Sequence, residues 1–186
     1  MRRILVVVDM QNDFIDGALG SEAAKAIVPN VVREIESTWY SKVIFTMDTH
    51  ANNYLKTYEG TNLPIKHCIY PSTGWALNTE VAEAGDWLGG LSIYMKSGFG
   101  SPDLINQIVE WGRDVESVTF VGLCTDICVM TNAVMLRGAL PDLPIYYVED
   151  ACAATTEEKQ KAALAIFESC QIYPKRGDNN EDIKER

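Results

Sequence analysis

No apolar run in this chain approaches the roughly 20 residues that a membrane-spanning helix requires. Basic charge is also scarce: 16 lysines and arginines stand against 26 acidic residues, a net charge of -10, with a sequence pI near 4.6. An acidic surface of that kind disfavours nucleic acid and anionic membranes as partners. The opening MRRILVVVD is basic and then apolar, but it turns acidic too soon for a signal peptide, so no export is expected. Five cysteines are odd in number and scattered rather than framework-like. That implies free thiols in a reducing cytoplasm. Neither G-x-G-x-x-G nor G-K-[ST] occurs, so Gly98-Phe99-Gly100 reads as a tight turn and not as a nucleotide loop. Cys124 and Cys128 lie four apart without the second pair that a thiolate zinc site would need. Histidine is rarer still, with only His50 and His67.

What is present is a soluble chain of 186 residues, 47% hydrophobic. That is long enough to bury a real core, and with no repeat or linker it reads as one domain over 1–186. Strand and helix patterns alternate along it. Residues 4–8 are a continuous apolar run ending in Asp9, 43–47 a second ending in Asp48, and 91–95 a third ending in Lys96. Further strands are expected at 118–121, 144–148 and 170–173. Pro29 suits the first turn of a helix to about Trp39, residues 77–84 suit a short helix, and Ser101-Pro102-Asp103 starts another. Thr125 reads as the N-cap of a helix closing at Arg137-Gly138, and Thr155 with Glu158 has the spacing of a capping box. Between 49 and 74 no element is evident, and so long an irregular stretch points to a functional segment or lid. The tail from 175 to 186 is charged. Cys68, Cys152 and Cys170 read as buried structural thiols.

Alternating strands and helices predict right-handed βαβ units, an α/β fold with a mostly parallel six-stranded sheet covered on both faces. In such sheets, ligands bind beyond the carboxyl ends of the strands, near the switch in strand order. Asp9, Asp48 and Lys96 each follow a strand, and the turn carrying Cys128 follows another. Singly, each has a mundane reading: turn formers, a solvated lysine, a small buried thiol. Together they describe acyl transfer. Cys128, in the first turn of a helix, is placed where the helix dipole favours a thiolate. Asp9 can accept and return a proton, Lys96 can support both negative groups, and backbone N–H groups of the 122–128 turn can hold an oxyanion. In the long loop, Asp48-x-His50 puts two metal-ligand types on one side of a strand end, and His67 could complete an open site.

Three stretches carry a closer likeness. VVVDMQNDF at 6–14, Lys96 in MKSGFGS at 95–101, and GLCTDICV at 122–129 resemble the signatures of the isochorismatase-like cysteine hydrolases. The spacing matches up to about Tyr173. The resemblance implies a three-layer α/β/α Rossmann-like fold and an Asp–Lys–Cys triad of Asp9, Lys96 and Cys128. It also implies a cis peptide at Leu123-Cys124, an oxyanion hole from the N–H groups of Cys124 and Cys128, and Phe14 as the pocket aromatic. Asp48, His50 and His67 resemble the nicotinamidase metal site, which holds a divalent ion, zinc foremost and manganese or iron as alternatives, against the substrate's pyridine nitrogen. The W-P-x-H stretch of that branch is here Leu63-Pro64-Ile65-Lys66-His67, with a residue inserted, and its G-T-P-G reads Tyr70-Pro71-Ser72-Thr73-Gly74. These departures touch the substrate pocket. The function expected is therefore amide hydrolysis through a thioester, with nicotinamide as the leading substrate. Another small-amide or N-carbamoyl hydrolase, or a non-catalytic binding member of the fold, are the alternatives. Family members are commonly dimers or tetramers, so a homo-oligomer is expected as well.

Overall fold

A computed structural model describes residues 1–86 and 90–175. Its strands are β1 (Arg2–Val8), β2 (Lys42–Asp48), β3 (Ile93–Lys96), β4 (Val115–Leu123), β5 (Ile145–Ala153) and β6 (Tyr173–Pro174). The helices are α1 (Asn12–Ile15), α2 (Glu22–Ile35), α3 (Tyr58–Asn62), α4 (Thr79–Asp86), α5 (Pro102–Trp111), α6 (Met130–Ala139) and α7 (Glu157–Ser169). One sheet takes all six strands in the order β3-β2-β1-β4-β5-β6, and every pairing is parallel. The chain winds outward from β1 to β3, then returns to the centre and winds the other way from β4. The switch in order falls between β1 and β4, and in sheets of this kind ligands bind beyond the carboxyl ends of the strands at such a point.

Strand β1 shows why the sheet sits between two layers. Residues 4 to 8 are wholly buried, and alternate side chains leave opposite faces. Leu5 and Val7 pack with Val28, Val31 and Ile35 of α2 and Val81 of α4. Ile4, Val6 and Val8 pack with Leu104 and Ile108 of α5, Leu136 of α6 and Phe167 of α7. Burying each such side chain is worth about 1.5–3 kcal/mol relative to leaving it in water. No helix among the described residues is long and apolar enough to cross a membrane.

Several local expectations shift. Helix α2 begins at Glu22, capped by Ser21, whose hydroxyl accepts from the Ala24 N–H, and Pro29 lies inside it. A satisfied cap set the start, and a proline one could read as a first-turn signal was accommodated further in. The 49–74 stretch holds a 3-10 turn at Tyr54–Lys56 and α3, capped by Thr57. Helix α7 is capped by Thr156, not Thr155. Thr125 is not a cap: residues Thr125–Val129 form a π-helical turn before α6, entered from Cys124, and the Thr125 hydroxyl is buried with no hydrogen-bond partner among the described residues. Cys170 is half-buried, not buried like Cys68 and Cys152. The charged tail beyond Lys175 lies outside the described residues.

Candidate active site and metal-binding cluster

Asp9 follows the last residue of β1 in a left-handed conformation, φ +48°, which turns the chain sharply off the sheet. Its backbone N–H donates to the Thr46 carbonyl at 3.2 Å, and its Oδ1 accepts from the Thr46 hydroxyl at 2.7 Å. Across the switch point stands Gly122 of β4, φ +111°, where a Cβ would come within 2.2 Å of the Val8 carbonyl oxygen. Only glycine fits so close an approach. It lets β4 run on to a cis peptide at Leu123-Cys124 and into the turn that carries Cys128. The Cys124 carbonyl accepts from the N–H groups of Ile127 and Val129, closing that turn.

Lys96 reaches in from the end of β3, opposite Asp48 in the parallel register. Its ammonium lies 2.6 Å from Asp9 Oδ2 and 3.6 Å from Asp48 Oδ1, and donates to Cys128 Sγ at 3.5 Å. Asp9 Oδ2 otherwise receives no well-aligned hydrogen bond among the described residues. All three residues are buried. Burial alone would lower the lysine's pKa, but the charges of Asp9, Cys128 and Asp48 outweigh it and hold the ammonium above 10.5. Burial raises Asp9, with Lys96 opposing. The thiol departs from the expectation of a helix-favoured thiolate. Burial and the Asp9 charge push Cys128 well above its ordinary value, and Lys96 only partly offsets them. Water removed from around the sulfur costs more than the helix start returns.

Beside this trio is a second cluster. His50 Nε2 lies 2.9 Å and His67 Nε2 3.4 Å from Asp48 Oδ2, and each lies 3.6 Å from Glu59 Oε1. The four donor atoms fall within 4.8 Å of one another. Tetrahedral zinc with bonds of 2.0–2.2 Å would separate its ligands by about 3.4 Å. The donor set, two imidazoles and two carboxylates, and its spacing therefore fit a divalent cation. Asp48 is held below its ordinary pKa: burial would raise it, but hydrogen bonds from both histidines and the Lys96 charge prevail. His67 is raised despite burial, by Asp48 and by the Ile65 carbonyl. That carbonyl takes the other ring nitrogen, Nδ1, at 2.9 Å, which turns Nε2 toward the cluster. Phe14, half-buried on α1, stands 5.4 Å from the His67 ring.

Residues of the first loop hold these ligands in place. Gln11, fully buried, accepts from the Asp48 N–H at 2.7 Å and donates to the carbonyls of Asp48 and Trp75 at 2.8 and 2.7 Å. Asp13 Oδ2 accepts from the Cys68 N–H at 2.7 Å, and Cys68, next to His67, sits at φ +47°. Tyr54 packs its ring 4.6 Å from His50 and 5.0 Å from His67 and donates its hydroxyl to the Leu63 carbonyl. Burial keeps that phenol protonated, its pKa pushed up to about 12.

The structure thus brings Asp9, Lys96 and Cys128 together, and beside them Asp48, His50 and His67. Sequence reasoning missed Glu59. Its only signal was a carboxylate lying in the loop between the two histidines. Gln11 and Asp13 were part of a quoted motif but had no stated task, since their partners are 37 and 55 residues away.

With that geometry in hand, the comparisons are consistent with one another. The family model for the isochorismatase domain matches residues 3–174, and the chain belongs to the isochorismatase family. It is 26% identical over 183 residues to the nicotinamidase/pyrazinamidase of Mycobacterium tuberculosis, covering 88% of this chain and 97% of that one. The crystal structure of the Bacillus subtilis nicotinamidase/pyrazinamidase superposes with a TM-score of 0.81 at 25% identity, over 94% of this chain and all of the other. A pyrazinamidase of Pyrococcus horikoshii, solved in complex with zinc, shares the fold at 22% identity and TM-score 0.74, covering 95% of this chain and 100% of that one.

Proposed function

We propose that this isochorismatase-family hydrolase is a cysteine amidohydrolase that converts nicotinamide to nicotinate and ammonia. The observation that carries the reading is the meeting of Asp9 Oδ2, Lys96 Nζ and Cys128 Sγ in one buried cluster at the carboxyl edge of the sheet. The raised thiol means that the resting sulfur keeps its proton, so deprotonation accompanies attack. Cys128 Sγ bonds to the carboxamide carbon as its proton passes to Asp9. The N–H groups of Cys124 and Cys128 take the resulting oxyanion. The C–N bond then breaks, Asp9 returns the proton to the leaving nitrogen, and ammonia departs from a thioester. Water, deprotonated by Asp9, attacks the thioester carbon. The C–S bond breaks, the acid leaves, and Cys128 regains its proton. Lys96 keeps Asp9 ionised at the right moment and offsets negative charge at sulfur.

Asp48, His50, Glu59 and His67 would hold a divalent metal, zinc foremost. When bound, that ion supplies a Lewis-acid anchor for a ring nitrogen of the substrate. Phe14 flanks the same space. The names of the relatives support nicotinamide as the substrate, and the donor set supports a ring with a basic nitrogen. The five free thiols support a cytoplasmic setting, and self-association into dimers or tetramers belongs to the same reading. The altered stretch before His67 favours one second reading, a different small amide or N-carbamoyl substrate on the same three residues.

The deciding experiment is metal content of the purified protein together with ammonia release from nicotinamide, before and after chelation. Stoichiometric metal with chelator-sensitive release is expected. Metal without turnover would move the substrate to another amide, found by a panel. Neither metal nor rescue by zinc, manganese or iron would overturn the metal reading.

A further inference from the structure

Lys96 and Cys128 meet at 3.5 Å, yet the sheet does little to set that distance. Lys96 ends β3, which pairs only with β2 among the described strands, while the Cys128 turn follows β4, with β2 and β1 lying between. A more direct tie exists on the helical side. Asn132 of α6 is fully buried. Its Nδ2 donates to the Cys128 carbonyl at 2.8 Å and to the Phe99 carbonyl at 3.3 Å, and its Oδ1 accepts from the Ser101 N–H at 2.9 Å. One amide thereby joins the backbone of the residue bearing the thiol to the loop that leaves Lys96. The same loop rests against α6 so closely that a Cβ on Gly100 would lie 2.3 Å from the Met135 sulfur.

An asparagine inside a helix has poor propensity, and burying its amide is unfavourable unless every polar atom finds a partner. Here every bond it makes is to backbone of the two segments that carry the reacting groups. We propose that Asn132 is a positioning residue, a strut that sets the Lys96–Cys128 geometry for the first chemical step. The inference rests on the amidohydrolase reading for its kinetic test but not for its chemical one.

Two variants separate a strut from a packing role. Asn132→Ala removes all three bonds. Asn132→Thr keeps a hydroxyl able to bond the carbonyl four residues back, within its own helix, but loses the link to the loop. In both, kcat for ammonia release should fall about tenfold or more with KM changed by less than about twofold, since orientation and not binding is lost. Iodoacetamide alkylation at Cys128, read by mass spectrometry at neutral pH, should slow by about threefold or more in each folded variant. Full alkylation and kcat in a folded variant, whatever its melting temperature, would overturn the strut. Should Asn132→Ala not fold, Asn132→Thr decides by the same two readings. A wild-type chain that alkylates at Cys128 but releases no ammonia from nicotinamide or from any amide of the panel would refute the amidohydrolase reading, and the alkylation comparison would still decide the strut.

Discussion

Two groups of reactive side chains share a wall at the carboxyl edge of this sheet, and they are held in place by opposite means. Asp9 and Lys96 sit at or next to strand ends, where ladder hydrogen bonds on one or both sides fix the backbone, and Cys128 lies beyond β4 in a short turn tied back through Asn132. Asp48 alone of the second group is on a strand. His50, Glu59 and His67 hang on the connection from β2 to α4, which has a 3-10 turn, one helical turn and a single backbone bridge between His50 and Ile69. That connection is pinned by side chains at the start of α1: Gln11 to Asp48 and Trp75, Asn12 to the Thr73 carbonyl, Asp13 to Cys68. The strand-end group takes its precision from the fold. The loop group borrows it, bond by bond, from residues far away in sequence.

The comparison can be broken at each side separately. The largest effect belongs to Cys128→Ala, which should reduce ammonia release by about 10³-fold or more while leaving bound metal unchanged, as metal analysis of the purified variant would show. Retained activity would end the thioester mechanism. Lys96→Met leaves Asp9 buried without its cation and should cost about 3–5 kcal/mol of unfolding free energy by denaturant titration. A smaller loss would mean that Asp9 is neutral in the resting protein.

Asp13→Ala tests the borrowed precision. Freed of its acceptor, the strained turn at Cys68 should relax and carry His67 with it, weakening metal affinity by about 10–100-fold in a competition titration with a chromophoric chelator. Cys128 alkylation should not change, and if it did, the two groups would not be independently supported. Glu59→Gln removes one carboxylate of two and should weaken the metal by about tenfold. Unaltered affinity would make Glu59 a bystander.

The subtlest test is pH. Lys96 has a folded pKa above its ordinary 10.5, so its stabilisation is complete below the unfolded value and is lost only as pH rises through the folded one. Asp48 is depressed below 3.8, so its contribution is present above the unfolded value and disappears as pH falls through the folded one. The unfolding free energy of the metal-free protein, from denaturant titration, should therefore decline at both extremes, by on the order of 1 kcal/mol for each group. The alkaline arm should shrink in Lys96→Met, with the raised Cys128 thiol and Tyr54 phenol supplying the rest, and the acid arm should shrink in Asp48→Asn.

Legibility in the sequence followed the same division. The strand runs ending in Asp9, Asp48 and Lys96, and the Ser101 cap, were readable because apolar periodicity and capping are local. Where local signals competed, they misled: Pro29 over the Ser21 cap, Thr125 over Cys124, Thr155 over Thr156. Glu59 carried no local mark, because a lone acidic residue in a loop is ordinary until three ligands close around it.

By itself, the order of residues determined the alternation of strands and helices, and so the parallel sheet and the edge at which its polar strand ends collect. It also determined which chemical types stand there, since each follows an apolar run that has to end at the surface of the core. Only the tertiary structure raised the Cys128 thiol above its ordinary pKa, because burial depends on every element packed around it. It alone recruited Glu59 and set Gln11, Asp13 and Asn132 to their tasks, since hydrogen bonds across 30 to 60 residues exist only once the chain has closed upon itself.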